Sequence, residues 1–117
     1  MIDRFNRILR HLSVAAAYLA AAALSVTGVP YVYGGESLAG MDCSCLVAYV
    51  YAQFGISLPH SSGAIAASGT TIPLSEMVPG DIVAYPGHVA IYIGNGQMVE
   101  AIDYGYVSQV SAVRGGG

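Results

Sequence analysis

Apolar residues recur along this chain with two different periods, and each period predicts a different kind of element. Leu46, Val47, Val50, Tyr51 and Phe54 follow helical spacing, with Asp42 placed to cap the start and Gly55 placed to stop the end. A helix beginning at Cys43 follows. Upstream, Val14 to Leu24 is an almost unbroken alanine-rich apolar run, and Val29 to Gly35 reads as an extended segment entering a glycine turn. Downstream, Leu58-Pro59-His60-Ser61-Ser62 is a loop, followed by a polar helix-or-loop stretch.

From Val78 onward the period shortens to two. Strands are expected at about 82–85, 88–93, 97–102 and 107–110, the middle pair forming a hairpin around Gly94-Asn95-Gly96. The register of that hairpin follows from burial, because a slip of one residue exchanges the two faces of a strand. A two-residue Asn95-Gly96 loop would put Glu100 on the apolar face with Val89, Ile91 and Ile93, and would set Asp103 opposite His88. A three-residue loop with Gly96 left-handed instead groups Val89, Ile91, Ile93, Val99 and Ala101 in the core and His88, Ala90, Met98 and Glu100 on the other face. Stranding an unpaired carboxylate in a core costs several kcal/mol, far more than a difference between turn types, which selects the bulged register. His88 and Glu100 are then neighbours.

This pattern positions a small set of reactive side chains. Cys43 falls in the first turn of its helix, where free backbone N–H groups and the helix dipole favour thiolate over thiol. A histidine beside a carboxylate on one strand face supplies a base and its orienter, so Cys43, His88 and Glu100 hold the parts of an activated thiol nucleophile. Cys45, one residue further on, points elsewhere: a disulfide with Cys43 would be strained, and Cys45 reads as a packed thiol. The spacing of Cys43, Cys45, His60 and His88 lacks the paired short gaps of structural zinc sites.

Five short boxes, taken in order, resemble the NlpC/P60 family of papain-like cysteine peptidases. They are Pro30 to Gly35, Asp42-Cys43-Ser44, Leu58 to Ser62, Pro79-Gly80-Asp81 and His88 to Gly94. The resemblance covers about residues 15–112. It implies an α+β, papain-like fold, with N-terminal helices packed on an antiparallel β-sheet and the nucleophile starting the central helix. It further implies a thiol endopeptidase acting on peptidoglycan stem peptides, commonly between D-glutamate and a diamino acid, with no metal or organic cofactor. On the same resemblance Cys43 matches the nucleophile, His88 the base and Glu100 the third polar position. Tyr31, Asp42, Ser44 and Ser61 match positions that line the site or meet substrate, and the Cys43 backbone N–H is a candidate oxyanion donor. Three residues depart from the family pattern: Cys45 stands in place of the usual glycine, His60 of a common arginine and Tyr33 of a frequent tryptophan.

Composition narrows the picture further. The 117 residues suffice for one core, read as a basic segment at 1–13, the domain at 14–112 and a flexible glycine-rich tail at 113–117. Four arginines and no lysine stand against seven carboxylates, and three of those arginines lie in the first ten residues, so the chain carries no electrostatic footprint for nucleic acid. The basic start and apolar run have the order of a secretory signal, but the resemblance requires a helix before the first box, and this run is the segment that can supply it. It is too short and alanine-rich for a stable membrane span. An enzyme of this kind acts in the cell envelope, whether exported or delivered by phage. Two other uses of the same residues are a peptide-binding wall or phage-particle component without catalysis, and a thiol acyl or amide transferase. Oligomeric state is not written in the pattern.

Overall fold

The apolar run folds as helix α1 (Ser13–Ser25) in the computed structural model, which describes residues 4–7, 13–37, 39–67, 70–72, 77–102 and 107–114. Leu19 and Ala23 of α1 are buried in the main core, while Tyr18 and Leu24 face outward. Two-residue strands β2 (Glu36–Ser37) and β3 (Gly40–Met41) then pair, and helix α2 (Cys43–Ala52) begins two residues after Met41. Its start lies where the sequence places it. Asp42 has extended backbone and accepts a hydrogen bond from the Cys45 N–H, so it caps the helix, and Gly55 takes the left-handed conformation beyond its end. A short helix α3 (Ser62–Ala66) follows, capped by Ser61.

The remaining strands are β1 (Arg4–Arg7), β4 (Thr70–Ile72), β5 (Ile82–Tyr85), β6 (His88–Gly94), β7 (Gln97–Glu100) and β8 (Gln109–Ala112). Among the described residues they form one main sheet in the order β4-β1-β5-β6-β7-β8, all pairs antiparallel. Helix α2 packs on β6, and Leu46, Val47 and Val50 meet Ile82, Ala84, Val89, Ile91, Val99 and Ala101 in one core. The alternate residues Val83, Ala90 and Met98 form a second, smaller cluster with Tyr85, Tyr92 and Val113. Both faces of the central hairpin are therefore covered. The fold class is the α+β, papain-like arrangement expected from the sequence.

The hairpin reaches the expected register by a different route. Its turn is the two residues Asn95-Gly96, both left-handed, with Gly94 paired to Gln97. An irregularity between Tyr92 and Gly94 then absorbs Ile93, so that Tyr92 faces Met98 and Ile91 faces Val99. The extra residue sits in the strand rather than the loop, and the separation of faces is unchanged. Asp103, the alternative partner of His88, lies outside the described residues.

Four strands of the main sheet depart from the sequence reading by more than one residue, β7 among them, ending at Glu100 rather than 102. β1 and β4 carry no clear period-two signal, and β8 starts two residues later than expected. Val107 instead makes an isolated bridge to Pro30, and Ser108 fastens the chain to the end of α1. The buried Ser108 hydroxyl accepts from the Val29 N–H at 2.9 Å and donates to the Val26 carbonyl at 2.5 Å. Ser108→Ala leaves both groups without this partner, so we expect a loss of about 1–3 kcal/mol, seen as a lower midpoint in thermal unfolding.

Candidate active site

Cys43 occupies the first helical position of α2, so its N–H has no partner within the helix and its thiol stands at the positive end of the dipole. The surroundings hold that helix start firmly. Asp42 Oδ1 accepts from the Cys45 N–H at 2.8 Å and from the Ser44 hydroxyl at 3.0 Å, while Oδ2 accepts from the Gly34 N–H at 2.8 Å. Burial alone would raise the Asp42 pKa, but these hydrogen bonds outweigh it and hold the carboxyl below its ordinary value. Asp42 thereby ties the glycine turn of the Tyr31 box to the nucleophile's helix. Gly35 is required there, since a Cβ on it would lie 2.2 Å from the Gly40 carbonyl oxygen.

Across from Cys43 stands His88, the first residue of β6. Its imidazole stands close enough to the Cys43 thiol for the two groups to bias each other's charge, and its Nε2 lies 2.8 Å from Glu100 Oε1. The three side chains follow one another in that order. Burial opposes charge on His88, but the hydrogen bonds to Cys43 and Glu100 and the charges of both groups raise its pKa to about 9. Burial likewise pushes Glu100 up, and hydrogen bonds from Arg114, His88 and Ser111 more than reverse it, bringing the carboxyl to about 2. At neutral pH the site therefore holds an imidazolium beside an ionised carboxylate. This is the charge state that favours a neighbouring thiolate.

The thiol opens into a cleft of about 340 Å³. The cleft is lined by the glycine turn with Tyr31 and Tyr33, by the start of α2 from Asp42 to Cys45, and by the segment from His60 to Ser62 together with Gly87. All the sequence-predicted site residues but two lie on its surface, and those two, His88 and Glu100, stand behind Cys43. Asp42 and Ser44 are buried and bonded to each other, and Ser61 caps α3, so each also has work within the fold.

The sequence reading did not anticipate two features. The buried Cys45 thiol lies 3.7 Å from His60 Nδ1, so the two family departures meet at the cleft wall. Arg114, in the segment expected to be a flexible tail, contacts Glu100 through both terminal guanidinium nitrogens and packs on Tyr85. The one signal for it was its position as the lone basic residue after Arg10. Among the described residues, no cluster of three or more histidine, cysteine or carboxylate groups is arranged to hold a metal ion.

Comparison with known proteins places this geometry in context. The model of the NlpC/P60 family matches residues 28–116. Peptidoglycan endopeptidase RipA of Mycobacterium tuberculosis is 42% identical over 120 residues, an alignment covering 88% of this chain and 25% of RipA. A solved structure of RipA mutated at a cysteine superposes with a TM-score of 0.81 at 37% identity, covering 97% of this chain and 66% of that one. Other RipA structures are mutated at a histidine and at a glutamate, which stand twelve positions apart, as His88 and Glu100 do. The NlpC/p60 domain of the peptidoglycan hydrolase SagA superposes with a TM-score of 0.77 at 36% identity, covering 84% of this chain and 89% of that one. The chain spans about a quarter of the length of the curated relatives it matches first.

Proposed function

The chain belongs to the NlpC/P60 family, and on that premise we propose that it is a cysteine endopeptidase hydrolysing amide bonds in bacterial peptidoglycan stem peptides. The observation that carries this reading is a helix-start thiol on an open cleft, electrostatically coupled to His88, which is itself bonded to Glu100. Relatives named as peptidoglycan endopeptidases supply the substrate class. Such a substrate places the site of action outside the cytoplasmic membrane, and among the described residues no helix is long and apolar enough to cross one.

In this mechanism His88 holds Cys43 as thiolate, and the sulfur attacks the carbonyl carbon of the scissile amide. The carbonyl oxygen becomes an oxyanion facing the Cys43 N–H at the start of α2. Collapse of the tetrahedral intermediate breaks the C–N bond, and His88 gives its proton to the departing amine. Water, deprotonated by the now neutral His88, then releases the acyl group as a carboxylate and restores the thiolate. Glu100 keeps the imidazole oriented and stabilises its charged form. Tyr31 and Ser61, which both line the cleft, contact the stem peptide, while Asp42 and Ser44 hold the start of α2 in shape. The bond between D-glutamate and a diamino acid is the one we assign.

The charge state of His88 sets the alkaline side of the activity. The imidazolium is present below its raised pKa and lost above it, so kcat/KM is expected to fall as pH rises through about 9. A rate profile between neutral and alkaline pH checks this. The reading as a whole is tested by digesting purified peptidoglycan and soluble stem peptides with wild type and Cys43→Ala, and identifying fragments by mass spectrometry. Fragments released by wild type alone establish the peptidase and its bond. No fragments from any substrate would move the assignment to peptide binding.

A further inference from the structure

We propose that Arg114 is a positioning residue of this site, gripping Glu100 from behind so that the carboxylate stays aimed at His88. The inference rests on the assignment of Cys43, His88 and Glu100 made above. Glu100 is fully buried, a situation an isolated carboxylate does not tolerate. Arg114 answers it with two parallel contacts, Nη1 to Oε2 at 2.8 Å and Nη2 to Oε1 at 2.6 Å. Oε1 is therefore shared between Arg114 and His88 Nε2, and the fork leaves the carboxylate little freedom to rotate away from the imidazole.

Arg114 is itself held. The Tyr85 hydroxyl donates to the Arg114 carbonyl at 2.7 Å and accepts from the Arg114 N–H at 3.0 Å, and the guanidinium lies 5.0 Å from the centre of the Tyr85 ring. Val113, just before it, donates its N–H to the Gly96 carbonyl at 2.8 Å. The stretch after β8 is thus pinned to β5 and to the hairpin turn. Its far end delivers a cation to the back of the active site. Imidazolium, carboxylate and guanidinium then alternate in sign, and without Arg114 the buried Glu100 carboxylate would have His88 as its one counter-charge among the described residues.

Among the described residues, the charged and titratable groups facing Glu100 are His88 from β6, Tyr85 from β5 and Arg114, with the Ser111 hydroxyl from β8 also acting on it. Arg114 is the strongest of the influences that keep Glu100 ionised at low pH. Removing it lets the carboxyl protonate at higher pH, which weakens the imidazolium and with it the thiolate. The acid limb should move up, not down.

The test compares wild type, Arg114→Ala and Arg114→Lys in stem-peptide cleavage and in the pH dependence of Cys43 alkylation by iodoacetamide. For Arg114→Ala we expect kcat to fall about 10–100-fold with KM changed by less than about twofold. Its acid limb, in cleavage and in alkylation alike, should rise by about one pH unit or more. The side chain is half exposed, so added guanidinium should enter the vacated space and restore rate, where sodium chloride at equal ionic strength should not. Arg114→Lys, which keeps the charge but not the fork, should fall between the two. It also carries the test should the alanine variant fail to fold. Wild-type kcat and acid limb in both variants would overturn the proposal, and so would a rate loss equal in both and untouched by guanidinium. A wild-type protein that cleaves no stem peptide would sink the peptidase reading, while the alkylation profiles still decide the part played by Arg114.

Discussion

Cys43→Ala is expected to lower kcat/KM on a stem peptide by at least about 10⁴-fold while leaving the folded structure in place. The size of the loss follows from the covalent step: without sulfur there is no acyl-enzyme, and the cleft and oxyanion donor are left to act on a bare water. The intact fold follows from where the side chain sits. Cys43 is only partly buried at the cleft, and the start of α2 is held by Asp42 through Cys45, Ser44 and Gly34, none of which needs the thiol. Intact-protein mass spectrometry during turnover should find a wild-type adduct equal in mass to the acyl half of the substrate, absent in the variant. Thermal unfolding should give midpoints within a few degrees. A fully active Cys43→Ala protein would remove the mechanism.

His88→Ala is expected to cost about 10³–10⁴-fold in kcat/KM, because one side chain both stabilises the thiolate and protonates the leaving amine. The two tasks can be separated by measurement. Alkylation of Cys43 at neutral pH reads the thiolate alone, and it should slow in the variant because the imidazolium beside it has gone. Turnover should slow further than alkylation, the difference being the lost proton transfer. Glu100→Gln should lose less than His88→Ala on both readouts, since it removes orientation and charge support and leaves the base itself. Alkylation unchanged in His88→Ala would show that His88 does not ionise the thiol.

Much of the site is legible in the sequence. The N-cap and the helical spacing after it located Cys43 at a helix start, and the structure has Asp42 capping α2 there. The hairpin is more instructive. The register that keeps Glu100 off the main apolar face, beside His88, is the one observed. Yet Glu100 is buried all the same, because the face assigned to it is covered as well, by Tyr85, Val113 and their neighbours. The register follows from the opposite face, where Val89, Ile91, Val99 and Ala101 lie together in the main core. The loop length was misjudged for a related reason: a bulge in β6 and a residue added to the turn have the same effect on which faces match.

What the sequence determined alone were the local elements and the partners within one hairpin, because a period of 3.6 or 2 is a property of neighbouring residues. Which far side chain lies behind Glu100 is not written in any period. Arg114 stands fourteen positions away, and it reaches the carboxylate because β8 pairs with β7 and Tyr85 of β5 clamps the backbone beyond it. The meeting of Cys45 with His60, and of Ser108 with the end of α1, depends in the same way on how elements cross in space. A buried charge must find its counter-charge wherever packing brings one within reach, and only the assembled sheet decided that it would be Arg114.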